Sequence, residues 1–332
     1  MMNTWPEQTW TTGQPEDAEA FDEVLHRAFR VNPNPQTALT LACVVVRGGR
    51  IVAERYGPHV TGRTRLLSWS VAKSITSLGV GIAAGDGLLD LDAPAPVPEW
   101  ADQNDPRHDI TLRQLLAMRD GLAFDEDYVD ESSDCLEMLF GRGADNMAAY
   151  AAGRPLRHPP GAQLNYSSGS TNIVARALGA AVGTGPTDTT EFFARRLFGP
   201  IGCDPPDLRF DDAGTFIGSS YTYATARDFA RIGLLALHDG VWDGVRLLPD
   251  GWMQTSLEVH GIDPDNGLGY GLHWWLYDDG RGTFAAKGYE GQTIMCCPSL
   301  DTVVVRMGKT PVAHRDALEA WYRDVLAVVE SS

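Results

Sequence analysis

Strand-like sequence sits at the two ends of this chain and helix-like sequence fills the middle, so any sheet it forms is assembled from segments far apart in the chain. Two runs rich in β-branched residues, 41–47 and 50–56, flank Gly48-Gly49, a preferred hairpin connection. Val71, Ile75, Leu78 and Ile82 recur at helical spacing and predict a buried helix from 70 to 85, stopped at Gly85-Asp86-Gly87. Between 86 and 215 the pattern is mostly helical, at 112–118, 136–140, 168–182 and 190–198, with turns such as His158-Pro159-Pro160-Gly161. A helix at 226–237 follows, then strand-like runs near 270–277, 282–286, 292–297 and 302–307, and a last helix over about 315–329. The implied fold class is α/β (α+β): an antiparallel sheet flanked by helices, with a mostly helical second lobe. The expected division is a discontinuous sheet domain, 1–85 and 216–332, around a helical domain, 86–215.

With 332 residues, 43% apolar and 21% charged, the chain has the composition of a globular protein, and it lacks the ~18-residue apolar run of a membrane span. The 27 basic and 44 acidic residues give a net charge of −17 with no basic block, which excludes nucleic acid and anionic membrane as expected partners. The opening residues, MMNTWPEQTW, show neither the basic start nor the apolar stretch of a secretory signal, so a cytoplasmic location is expected. Five cysteines, none spaced as C-x-x-C, suggest neither a disulfide framework nor a zinc site. Cys43, Cys296 and Cys297 read as small hydrophobes inside strands.

Of the 27 basic residues only Lys73, Lys287 and Lys309 are lysines. Arginine stays protonated, whereas burial can turn a lysine amine into a base, so each retained lysine is a candidate for chemistry. Lys73 closes Ser70-Val71-Ala72-Lys73, where i, i+3 spacing on the nascent helix puts hydroxyl and amine on one face. Ser70 at a helix N-terminus also offers its own backbone N–H to an oxyanion. Tyr166-Ser167-Ser168, before another helix, supplies a phenol able to pass a proton, or simply an N-cap and a packing tyrosine. Ala286-Lys287-Gly288-Tyr289, on a late strand, offers a glycine that permits close approach, or an ordinary edge turn.

In this order these elements resemble the S-x-x-K, Y-x-N and K-T-G signatures of the serine β-lactamase and penicillin-binding-protein superfamily. Ser70-Val71-Ala72-Lys73-Ser74, the run Ile110-Thr111-Leu112-Arg113-Gln114-Leu115-Leu116-Ala117-Met118-Arg119-Asp120-Gly121-Leu122, Pro160-Gly161 before Tyr166-Ser167-Ser168, Ala226-Arg227-Asp228-x-Ala230-Arg231 and Gly269-Tyr270-Gly271 are similar to its class C-like branch, which includes family VIII carboxylesterases and 6-aminohexanoate-dimer hydrolases. The resemblance covers nearly all of residues 38–310 and implies a β-lactamase-like fold, with Ser70 as nucleophile, Lys73 as base and Tyr166 as proton relay. Ser168 stands where class C β-lactamases carry Asn, which implies poor cephalosporin turnover. In the third motif, either Gly288 is the glycine and Ala286 replaces its lysine, or Lys287 is the lysine and Tyr289 replaces its glycine. The first register is preferred for the glycine's steric role, and the resemblance then makes the N–H groups of Ser70 and Tyr289 the oxyanion hole.

Other signals fail. Gly308-Lys309-Thr310 lacks the first glycine of a P-loop, no G-x-S-x-G exists, and the eight histidines show no ligand spacing. No metal and no cofactor are implied. The stretch Asp125-Glu126-Asp127-Tyr128-Val129-Asp130-Glu131 reads as a solvated acidic loop; by resemblance it overhangs the pocket, which singles out Tyr128. The expected activity is a serine hydrolase forming an acyl-enzyme from a small-molecule ester or amide, carboxylesterase-like first, with an amide or oligomer hydrolase, β-lactamase or D-aminopeptidase as alternatives. Tyr128, Ser168, Lys287 and Gly288 are its expected substrate contacts. A degenerate ligand-binding scaffold is the reading from another class, and a homodimer is compatible with the sequence.

Overall fold

The Gly48-Gly49 turn, with both glycines at positive φ, joins strands Leu39–Arg47 and Arg50–Tyr56 as the sequence predicts. In the computed structural model, which describes residues 5–6, 9–15, 17–29, 37–183 and 185–331, this hairpin forms one side of an eight-stranded antiparallel sheet. Its first strand pairs with Thr302–Lys309, and the order continues through Gln292–Cys297, Phe284–Gly288, Trp275–Leu276 and Gly269–Tyr270 to Gly261–Ile262.

Both faces of the sheet are covered, which explains why its central strands are apolar at nearly every position rather than at alternate ones. Val44, Ala286, Ile294, Cys296, Val303 and Val305 face inward, sharing one apolar cluster with Val71, Ile75 and Leu78 of helix Val71–Gly85 and Phe229 of helix Ala226–Leu237. Cys43, Val45, Ala285, Met295, Cys297 and Val304 point the other way, onto helices Ala18–Phe29 and Arg315–Ser331 through Phe21, Leu25, Trp321 and Val325. All five cysteines are free and buried, and burial pushes the Cys43 thiol up to about 12, far from the reactive thiolate. The inner cluster runs on without a break into the helical segment through Leu116, Phe124, Met138 and Ile173. Among the described residues no helix is long and apolar enough to cross a membrane.

The stretch 270–277 departs from expectation. In place of one strand it forms two short ones, Gly269–Tyr270 and Trp275–Leu276, and between them the chain dips toward helix Val71–Gly85. Ser74 and Ser77 on that helix donate hydroxyl hydrogen bonds to the carbonyls of His273 (2.6 Å) and Leu272 (2.9 Å), and His273 takes a positive φ of 65° to make the bend. Tertiary hydrogen bonds thus override a local strand pattern. They also tie the sheet to the helix that carries Lys73.

Candidate active site

Ser70 precedes the first turn of helix Val71–Gly85, and the turn leading into it is held from outside. The Ser68 hydroxyl donates to the Ser220 carbonyl (3.1 Å) and accepts from the Thr222 N–H (3.1 Å). Trp69, next to Ser70, is forced to a φ of +46°, an uncommon conformation for so large a side chain and one that concentrates at functional turns. On the other side, strand Phe284–Gly288 comes so close that a Cβ on Gly288 would lie 2.6 Å from the Ser68 carbonyl oxygen and 3.1 Å from the Ser70 nitrogen. That contact is the steric role assigned to this glycine.

One turn into the helix, Lys73 is buried with its amine surrounded by oxygen: Ser70 Oγ at 2.8 Å, Ser168 Oγ at 2.9 Å and the Ser219 carbonyl at 3.1 Å. Burial lowers its pKa, opposed by the negative charge of Glu126. Ser70 acts on the Tyr166 phenol, partly lowering its pKa, and the Lys73 amine lies 4.9 Å from the Tyr166 ring centroid. Burial, reinforced by Glu126, holds the Tyr166 phenol well above its usual range, so it is protonated at rest. Tyr166 is braced by Tyr270 and Trp275, at centroid distances of 5.8 and 5.3 Å. Ser167 caps helix Ser168–Val182 by accepting from the Ser170 N–H, which fixes its two neighbours in sequence.

The expected contacts separate in position. Ser70, Tyr166, Tyr128, Gly288 and Tyr289 all line one cavity of about 840 Å³, a size suited to a small-molecule substrate. Tyr128 and Tyr289 stack at 4.3 Å and 20°, with the Trp69 ring edge-on to both. Ser168, expected as a substrate contact, is instead fully buried behind Lys73. Lys287 lines the outer part of the cavity, but on the strand face opposite Gly288, where its ammonium is paired with Glu319 and 3.1 Å from the Tyr277 hydroxyl. The inward-facing residue two before Gly288 is Ala286, so no ammonium stands at that inner position. Among the described residues no group of three or more His, Cys, Asp or Glu is placed to hold a metal ion.

Glu126 is the residue that sequence reasoning missed. The acidic loop is solvated at Asp125, Asp127 and Asp130, but Glu126 turns inward. Its Oε2 accepts from the Ser168 N–H at 2.7 Å and its Oε1 from the Ser168 hydroxyl at 2.5 Å. The loop can hold this shape because its other acids serve its own backbone: Asp127 accepts from the Val129 and Asp130 N–H groups, and Asp134 from that of Asp125. The sequence gives little hint of this, since the same loop holds a second glutamate, Glu131, that stays exposed.

The model of the family described as Beta-lactamase matches residues 25–329. The 6-aminohexanoate-dimer hydrolase of Paenarthrobacter ureafaciens is 27% identical over 293 residues, covering 82% of this chain and 73% of that protein. A Bacillus anthracis protein provisionally described as a 6-aminohexanoate-dimer hydrolase superimposes with a TM-score of 0.80 at 21% identity, over 99% of this chain and 90% of its own. A family VIII carboxylesterase superimposes with a TM-score of 0.67 at 16% identity, over 94% of this chain and 99% of its own. At those identities the two structures establish the shared fold.

Proposed function

The chain belongs to the Beta-lactamase family, and on that premise we propose that it is a serine hydrolase that opens small-molecule esters through an acyl-enzyme on Ser70. The observation that carries this reading is the 2.8 Å contact between the Ser70 hydroxyl and a buried lysine amine whose direct partners are two hydroxyls and a carbonyl. With no carboxylate bonded to it, the desolvated amine is free to be neutral, as a general base must be. Lys73 takes the Ser70 proton as Oγ attacks the substrate carbonyl. The oxyanion forms between the N–H groups of Ser70 and Tyr289, the peptide that follows the close contact at Gly288. As the C–O bond to the alcohol breaks, Tyr166 gives its phenolic proton to the departing oxygen and takes the one held by Lys73, which leaves the amine neutral for water to repeat the sequence on the acyl-enzyme.

Amides are the second reading, favoured by the similarity to 6-aminohexanoate-dimer hydrolases. The same groups serve, with Tyr166 protonating an amine. The test is turnover of p-nitrophenyl butyrate beside a linear ω-amino-acid amide, with mass spectrometry of the trapped enzyme. An acyl adduct on Ser70 that is lost in Ser70→Ala supports the reading. Turnover by Ser70→Ala above a tenth of the parent rate ends it, because removing a nucleophile costs ~10³ or more.

A further inference from the structure

A neutral lysine amine has two N–H bonds and one lone pair, and here three oxygens compete for them. The Ser219 carbonyl can only accept, so it takes one N–H. Ser168 Oγ could donate or accept, but its hydroxyl proton is already given to Glu126 Oε1 at 2.5 Å. The second carboxylate oxygen holds the Ser168 backbone N–H at 2.7 Å, so the serine is clamped at two points and cannot turn. Ser168 is left with lone pairs only to show Lys73, and takes the second N–H. The remaining direction, toward Ser70 Oγ, receives the lone pair.

We propose that Glu126 is a positioning residue which, by claiming the Ser168 proton, aims the Lys73 lone pair at the Ser70 hydroxyl. The inference rests on the Ser70–Lys73 reading above and adds a direction to it. It also accounts for the burial of Ser168, which belongs to the proton network and not to the substrate wall. Once the Ser70 O–H bond breaks and the proton joins Lys73, the ammonium has three N–H bonds for the same three oxygens, with the Glu126 charge nearby to offset its desolvation.

The other groups that face this cluster do not compete for the role. Cys135, behind Ser168, is a thiol pushed up to about 12 by burial, and His273 is pushed down to about 3, chiefly by burial, so it is neutral. Tyr166, Tyr128 and Tyr270 are held protonated. Asp263 acts on Tyr166 and Tyr270, and Asp120, pushed up to about 6 by burial, accepts from the Ser170 hydroxyl on the helix that Ser168 begins and does not bond to Lys73 or Ser168.

The experiment is the pH profile of kcat/KM for p-nitrophenyl butyrate in the parent enzyme, Glu126→Gln, Glu126→Asp, Ser168→Ala, Ser168→Thr and the Glu126→Gln/Ser168→Ala pair. A glutamine cannot accept at both points of the clamp, so Glu126→Gln is expected to lower the plateau roughly 10–150-fold, the range for losing a hydrogen bond to a charged group. Its acid limb is expected at lower pH, because the charge that favours protonated Lys73 is gone. Glu126→Asp keeps that charge but not the reach, so its limb stays near the parent's while its plateau falls. Ser168→Thr retains most of the activity that Ser168→Ala loses, and the double variant is no worse than the weaker single, because one path carries both effects. A Glu126→Gln plateau and acid limb equal to the parent's, or losses that multiply in the double variant, overturn the proposal. Ser70→Ala run alongside separates this from the underlying reading: if Ser70→Ala is inactive while Glu126→Gln is unaffected, only the positioning role falls.

Discussion

On the proposed reading Lys73 acts as a base while buried among oxygens, a role a guanidinium cannot fill. Lys73→Arg is therefore expected to be as damaging as Lys73→Ala, ~10³ or more in kcat/KM; substantial turnover by the arginine variant would show that only positive charge is required. Tyr166→Phe removes a phenol held protonated and is expected to lower kcat by ~10²–10⁴ with little change in KM. A change confined to KM would make Tyr166 a packing residue. The pair Ser70 and Lys73 was legible in the sequence because i, i+3 spacing on a helix fixes their contact by local geometry alone. Glu126 was not, because its partner Ser168 lies 42 positions away and the two meet only through the loop's own turns.

At the scale of elements, the turn that presents Ser70 and strand Phe284–Gly288 form one unit, and Gly288 is the point where they touch. Gly288→Ala would place a methyl group 2.6 Å from the Ser68 carbonyl, backbone that is itself tied to Ser220 and Thr222 and cannot yield cheaply. The strand must withdraw, carrying the Tyr289 N–H away from the Ser70 N–H. The expected result is a fall in kcat of ~10²–10³, the scale of a lost oxyanion donor. The same overpacking should cost about 1–3 kcal/mol of stability, read as a lowered Tm. Unchanged kcat with a lowered Tm would remove Tyr289 from the oxyanion role. The first hairpin and the late strands were readable because β-branched runs between glycine turns specify themselves locally. The bend at His273 was not, because hydrogen bonds from Ser74 and Ser77 create it. Helix Ala18–Phe29 also escaped notice, since its apolar residues make sense only against the outer face of the sheet.

At the scale of the molecule, the proposed function makes charge a determinant of which carbonyl compounds reach Ser70. The net charge is −17, and acids dominate the cavity: Asp125, Glu126, Asp127, Asp130, Asp263, Asp265, Glu290 and Glu319 line it against two cations, Arg315 and a Lys287 ammonium already engaged by Glu319. A β-lactam brings a carboxylate into this field, and Ala286 offers no inward ammonium to receive it. Nor does Ser168 expose a side-chain amide to orient an acylamino group, since it is buried between Lys73 and Glu126. One missing interaction with a charged group is worth about 1.5–3 kcal/mol, roughly 10–150-fold. A neutral short-chain ester needs neither anchor and meets no repulsion. The expected outcome is that p-nitrophenyl butyrate exceeds nitrocefin in kcat/KM by at least tenfold on one preparation. The gap should narrow as salt rises, because screening at ~0.1 M and above weakens the repulsion felt by the anion alone. A nitrocefin advantage of tenfold or more would mean that the acidic cavity does not govern selection and that β-lactams are true substrates.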